Sequence, residues 1–180
     1  MYKAKKYMKF LTPEDEKAYY DKEQKYMEDF FKEILEAPVY QRYEDSLLYH
    51  LSPTLEWCDF KKKEVHFRYK VKDWQLNPQR GCHGGVSAAM LDTTMGMLAM
   101  YFADGCFVST INLTLNYQKP IPENSEIITR VRSTSWGRTL VSLEGDVYIP
   151  ETNTVACTSI ATYIVLRNRP GQITNIRRED

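Results

Sequence analysis

Apolar residues first fall into register in the N-terminal quarter, where Tyr20, Met27, Phe31 and Ile34 recur at helical spacing. The start is marked by Thr12-Pro13-Glu14-Asp15, a capping hydroxyl, a proline at the first helical position and acids near the positive end of the dipole. The spacing predicts a helix to about Ala37, stopped by Pro38, with Asp21/Lys25 and Glu28/Lys32 as i,i+4 pairs on the wet side. Such an amphipathic helix docks on its own domain or on a second subunit; the alternative is a lid over a bound ligand.

Beyond Glu44 the period changes to two. Val65, Phe67, Tyr69 and Val71 alternate with His66, Arg68 and Lys70, the pattern of a half-buried strand. A partner strand near Leu47 to Phe60 completes a hairpin, with Lys61-Lys62-Lys63 at its turn, a solvated charge run to which no function is given. Gly84 to Ala103 is apolar and about twenty residues long, enough to span a bilayer. Asp92 argues against that, because a central carboxylate costs roughly 2.5 to 3.5 kcal/mol on insertion. The stretch reads as a helix buried in protein. Four β-branched and aromatic runs follow, Phe107 to Tyr117, Ser125 to Ser133, Thr139 to Ile149 and Thr154 to Leu166, and they suggest an antiparallel meander. In the first, Ile111, Leu113, Leu115 and Tyr117 face one way and Asn112, Thr114 and Asn116 the other.

The resulting layout is α+β, a sheet wrapped on a long central helix. Residues 1–46 form a helical extension, 47–166 the main domain and 167–180 a polar tail. Such a sheet leaves strand edges open, so at least a homodimer is expected, with a dimer of dimers as the larger assembly.

Composition narrows the partners. With 180 residues and 43% hydrophobic content the chain can build one sizeable core. Lys+Arg and Asp+Glu are 24 each, so no net field favours nucleic acid or an anionic membrane. The first ten residues are basic without an apolar run behind them, unlike a signal peptide. Cys58, Cys82, Cys106 and Cys157 are too far apart in sequence for a zinc motif. A cytoplasmic protein with reduced thiols, no metal and no membrane partner is the expectation.

The segment from Asn77 to Asp92 carries the chemistry. Gly84 and Gly85 follow His83 where a loop becomes a helix, and the first helical N–H groups lack internal partners, so they suit an oxyanion or a phosphate. A purely structural glycine turn explains the same residues. Asp92 lies on a stripe with Gly85, Ala88, Ala89, Gly96 and Ala99. A carboxylate there is either a general base toward water, its pKa raised by apolar surroundings, or a group held by buried hydrogen bonds. His83 is either a base or a structural partner, the latter being favoured. No Gly-x-Ser-x-Gly elbow, Walker loop or Rossmann fingerprint is present, which leaves attack by water open.

These motifs, in this order, resemble the hot-dog-fold thioesterases of the phenylacetic-acid-degradation type. Asn77, then Gly81-Cys82-His83-Gly84-Gly85-Val86, then Asp92 nine residues after the histidine, is similar to that family's Asn…Gly-x-His-Gly-Gly…Asp pattern. The run from Ser109 to Pro120 resembles its strand ending in Tyr-x-x-Pro, and Gly137-Arg138-Thr139 its Gly-Arg-Thr turn; the likeness covers about Leu47 to Leu166. It implies hydrolysis of acyl-CoA esters without metal or cofactor beyond the substrate's own CoA. It also implies that Asp92 activates or orients water, that Asn77 and the Gly84 amide polarise the thioester carbonyl, and that Thr110 stands where relatives often carry a water-holding serine. His83 belongs to the same constellation, while Gly85, Arg138 and Thr139 would contact substrate. The two halves of the site, Asp92 with Thr110 and Asn77 with His83 and Gly84, would come from different subunits. The rival reading is a non-catalytic acyl-CoA sensor, since hot-dog domains serve both ends. A hot-dog dehydratase fits worse, because Pro78 stands where those enzymes carry an acid five residues before the histidine.

Overall fold

The computed structural model describes residues 12–36 and 46–167. Helix α1 spans Pro13–Glu36. Its start is a reciprocal cap, in which the Asp15 amide donates to Thr12 Oγ1 (3.1 Å) and the Thr12 amide to Asp15 Oδ2 (2.9 Å). Met27, Phe30, Phe31 and Ile34 are fully buried at i, i+3, i+4 and i+7. Tyr20 is half-buried and meets Phe60 at the rim rather than joining that stripe. Lys25 pairs forward with Asp29 (2.6 Å), one turn beyond the pairing expected with Asp21.

A short helix α2, Leu47–Leu51, stands where the first half of a strand is expected. The reason is local. Ser46 accepts the Tyr49 amide as an N-cap (3.2 Å), and Ser52 closes the turn in the left-handed region at φ 48°, just before Pro53. The hairpin then reduces to β1 (Thr54–Asp59) and β2 (Glu64–Lys70), with Lys61 to Lys63 in its turn.

The central helix α3, Gly84–Phe102, is followed by β3 (Val108–Tyr117), β4 (Glu126–Trp136), β5 (Leu140–Ile149) and β6 (Thr154–Val165). Among the described residues the strands form one six-stranded sheet, all neighbours antiparallel, in the order β1-β2-β4-β5-β6-β3. The expected meander therefore holds only for β4 to β6. Strand β3 lies at the far edge against β6, because α3 must cross the whole sheet between β2 and β3 to bury itself. The helix is apolar almost all round, and Met90, Leu91, Met95, Leu98 and Ala99 are fully enclosed by the sheet. No helix among the described residues is long and apolar enough to cross a membrane.

The close packing of β5 against β4 and the helix depends on Gly145, where a Cβ would stand 2.6 Å from the Arg130 carbonyl oxygen, 2.8 Å from Val131 Cγ2 and 3.2 Å from Met95 Cε. Gly145→Ala should cost roughly 1 to 3 kcal/mol of overpacking strain, read as a fall in Tm; an unchanged melting curve would remove this constraint.

The two sheet edges are treated differently. Phe31 packs edge-on against Phe67 (5.6 Å) and Phe30 against Tyr101 (5.4 Å), which ties α1 to β2 and α3. Gln24 donates to the Cys58 carbonyl (2.9 Å) and accepts the Phe60 amide (2.8 Å), so α1 covers β1. At the other edge β3 pairs, among the described residues, only with β6, and Ile111 and Tyr117 are exposed.

Candidate active site

The carboxylate cluster is assembled by α3 and the edge of the sheet. Asp92 is half-buried, and its Oδ1 accepts two hydroxyl hydrogen bonds, from Thr110 Oγ1 (2.9 Å) and Tyr163 OH (2.7 Å). The same phenol also reaches the Asp92 carbonyl oxygen at 2.9 Å. Both carboxylate contacts fall on Oδ1, so among the described residues Oδ2 is the oxygen left to hold a water.

Thr110 reaches the carboxylate because of a β-bulge. Thr110 pairs with Tyr163 and Asn112 with Thr162, so Ile111 is the extra residue. Strict alternation would have turned Thr110 away from the face carrying Leu113 and Leu115. The bulge brings it onto the helix side and leaves Ile111 57% exposed.

No sequence motif points to Tyr163. Its strand was legible, but its partnership with Asp92 spans 71 positions, and nothing local marks it. Burial, followed by the charge of Asp92, pushes the phenol well above its usual pKa, so it stays protonated and keeps donating. Gly96, one turn beyond Asp92, faces the ring: a Cβ there would stand in ordinary contact with Tyr163 Cε1 at 3.6 Å.

The second cluster forms at the N-terminus of α3. The Leu76–Cys82 bridge folds the preceding loop back on itself, with Arg80 in the left-handed region and ion-paired to Glu123. Asn77 Oδ1 accepts the Gln79 and Gly81 amides (2.9 and 3.1 Å). With the oxygen so used, the amide orientation is fixed, and Nδ2 is presented as a donor without a partner among the described residues. His83 caps the helix, its Nδ1 accepting the Gly85 amide at 3.0 Å. The Val86 and Ser87 amides go to the His83 carbonyl (2.8 and 3.1 Å), so of the first N–H groups Gly84 alone has no partner among the described residues.

Gly85, whose amide is spent on His83, is thereby taken out of direct contact through its N–H. The missing side chain of Gly84 has its own explanation, since a Cβ there would lie 3.3 Å from the Tyr117 ring, whose hydroxyl donates to the Gly84 carbonyl at 2.8 Å. An open cavity of about 390 Å³ begins here, lined by Gly84, Ser87, Tyr117, Pro120 and Cys157. Burial raises the neighbouring Cys82 thiol to about 11, so at neutral pH it is no nucleophile. A larger cleft of about 570 Å³ at His50, Lys72 and Trp74 contains none of the candidate residues.

One chain does not bring the two clusters together. Asp92 follows Gly84 by eight residues on a continuous helix, roughly 12 Å at 1.5 Å per residue. A carbonyl held on the Gly84 amide is out of reach of water held by the same chain's Asp92. Arg138 and Thr139 are exposed in the β4–β5 turn, where the Thr139 carbonyl accepts the Val165 amide (2.8 Å), and they contact neither cluster. Among the described residues no group of three His, Cys, Asp or Glu side chains could hold a metal ion.

Comparison with known proteins covers part of this geometry, including Gly84, Asp92 and Thr110 and leaving Asn77 and Tyr163 outside. The thioesterase superfamily model matches 81–156, from the glycine turn through β5 into β6. Over 76 residues the chain is 34% identical to an acyl-coenzyme A thioesterase of Xenopus laevis; the match covers 41% of this chain and spans 33% of that relative. A phenylacetic acid degradation-related protein of Ralstonia eutropha JMP134 superposes with a TM-score of 0.63 at 26% identity, covering 76% of this chain and 99% of that one. These likenesses support a hot-dog thioesterase of the phenylacetic-acid-degradation type. Within these thioesterases, a hypothetical member from Streptococcus pneumoniae TIGR4 has been solved with coenzyme A; it shares the fold at TM-score 0.57 and 22% identity, covering 67% of this chain and 90% of that one. The chain adds α1 ahead of the matched region, docked as part of the core.

Proposed function

We propose that the chain hydrolyses acyl-CoA thioesters to a free acid and CoA, at a site completed by two copies. The observation that carries this reading is the Asp92 carboxylate, fixed through one oxygen by Thr110 and Tyr163 beside the open β3 edge. It is supported by the thioesterase superfamily match over residues 81–156, by the acyl-CoA thioesterase named among the relatives and by the neighbour holding coenzyme A.

Asp92 Oδ2 holds and deprotonates a water, whose oxygen attacks the thioester carbonyl carbon. The carbonyl oxygen becomes an oxyanion, stabilised by the Gly84 amide and Asn77 Nδ2 of the other copy. Collapse breaks the C–S bond, and the proton taken by Asp92 returns to the leaving thiolate. No resident metal or cofactor is needed, because water is the nucleophile and the thiolate leaves readily. Pairing of two β3 edges about a two-fold axis would close the strand left open by a single chain and bring each Asp92 toward the partner's glycine turn.

The deciding experiment is thiol release from short, long and aromatic acyl-CoAs by the full chain. Turnover of at least one, lowered roughly 10²-fold or more in Asp92→Asn, is expected. CoA-ester binding with no thiol released from any of them would replace hydrolysis by ligand sensing. Within this mechanism, Tyr163→Phe should lower kcat roughly 10- to 100-fold with KM little changed, the cost of one hydrogen bond to a charged group. The same substitution in an Asp92→Asn background should cost much less. An equal loss in both backgrounds would make Tyr163 a packing residue only.

A further inference from the structure

The two edges of the sheet differ in chemistry as well as in cover. From Phe107 to Gln118 the chain has no charged residue and no proline, so it lacks two of the devices that keep an exposed edge strand from pairing. Strand β1 by contrast carries Glu56 and Asp59 and lies under α1. The open backbone groups of β3 can be assigned. Gln118 donates its amide to the Ala156 carbonyl of β6 (2.8 Å), and Asn116, Thr114 and Asn112 follow at every second residue back to the bulge. Their N–H and C=O groups face β6, so those of Leu113, Leu115 and Tyr117 point to the unpaired side.

Both ends of this strand hold a piece of the candidate site, and both on the helix side. Near its start Thr110 donates to Asp92 (2.9 Å). At its end the Tyr117 hydroxyl donates to the Gly84 carbonyl (2.8 Å), with Ser87 Oγ on the same oxygen (2.9 Å), and the ring lies 3.3 Å from where a Gly84 Cβ would stand. Two copies paired antiparallel by their outward groups can meet with Leu113, Thr114 or Leu115 on the two-fold axis. With Thr114 there, Leu113 of each copy faces Leu115 of the other, and Tyr117 faces the single position that the bulge makes of Thr110 and Ile111. An axis at Leu113 sets Leu115 against Thr110 instead. An axis at Leu115 sets Thr110 against Lys119, past the end of β3.

We infer that two copies join through β3 with Thr114 on the two-fold axis, and that Tyr117 of each copy is a positioning residue of the shared site, holding its own Gly84 toward Asp92 and Thr110 of the other. The inference rests on the shared-site reading above and adds the register and the residue that links the sheet edge to the glycine turn. An uncharged strand with free N–H and C=O groups at alternate residues is matched by a second copy of itself, and the same pairing covers Ile111 and Tyr117, now 57% and 58% exposed.

Cysteine cross-linking in a Cys106→Ser background, which removes the half-buried native thiol, reads the register without any substrate. Thr114→Cys should form a disulfide-linked dimer on oxidation with diamide, since a non-hydrogen-bonded pair on the axis has Cα atoms about 4.5 Å apart. Asn112→Cys and Asn116→Cys should each stay unlinked, because the two copies of either residue stand four positions apart, roughly 14 Å. Unfolded and refolded together, those two variants should link to each other. A link in either one alone, or none in Thr114→Cys, would overturn the register. Tyr117→Phe is then made in the linked Thr114→Cys dimer, where no loss can come from dissociation. The ring stays and the hydroxyl goes, and kcat should fall roughly 2- to 10-fold with KM little changed. An unchanged kcat would overturn the role of Tyr117. Cross-links in the expected pattern with no thioester hydrolysed would leave the register standing and sink the hydrolytic reading; hydrolysis with a different pattern would do the reverse.

Discussion

Asp92→Asn is expected to lower kcat for acyl-CoA hydrolysis roughly 10²- to 10⁴-fold, the range for loss of a positioned general base. Asparagine has nearly the same shape, and its Oδ1 still accepts from Thr110 and Tyr163, whose hydroxyls hold Asp92 at 2.9 and 2.7 Å. Folding should therefore be preserved, with a melting temperature close to wild type. What disappears is the second carboxylate oxygen as a proton acceptor. Steady-state kinetics with the melting curve checks this pair of outcomes; wild-type turnover in a well-folded variant would remove Asp92 from the chemistry.

The second large effect belongs to Asn77. Asn77→Ala removes the proposed oxyanion donor Nδ2 and should raise the barrier by roughly 2.7 to 4 kcal/mol, about 10²- to 10³-fold in kcat. The substitution also strips the acceptor from the Gln79 and Gly81 amides, so loop distortion contributes to the result. Asn77→Asp separates the two roles. It keeps an oxygen for both amides, but it replaces the N–H donor with a negative charge beside the developing oxyanion. A loss at least as large as that of the alanine variant is expected, measured as kcat on the preferred acyl-CoA. Near-normal activity in Asn77→Asp would leave Asn77 a loop-forming residue.

Much of this molecule is legible in its sequence where the signal is local. The Thr12-Pro13 start, the period-two strand around Phe67 and the long apolar run around Asp92 each follow from spacing and capping within a few turns. Three features escape such reading because their causes are distant. Strand β3 leaves the expected meander because α3 spans the sheet and delivers the chain to its far edge. Thr110 faces Asp92 only through a bulge at Ile111, which a simple alternation places the other way. Tyr163 is set against the carboxylate by pairing across 71 positions. At the candidate site, the motif spacing points to Asn77, Gly84 and Asp92, but which backbone N–H stays available depends on His83, which takes Gly85 and leaves Gly84. Residues 1–11, 37–45 and 168–180 lie outside those described, and with them most of the polar tail expected from Arg167 onward.

The central claim is hydrolysis at a site shared between two copies. It meets its sharpest test in subunit mixing. Asp92→Asn and Asn77→Ala proteins, each nearly inactive, are unfolded together, refolded and assayed for thiol release. In a mixed pair one site collects both substitutions and the other collects neither, so random pairing should restore about a quarter of wild-type activity. Activity that stays at the level of the two parents after verified mixing would contradict the shared site and place Asp92 and Asn77 in service of one and the same chain.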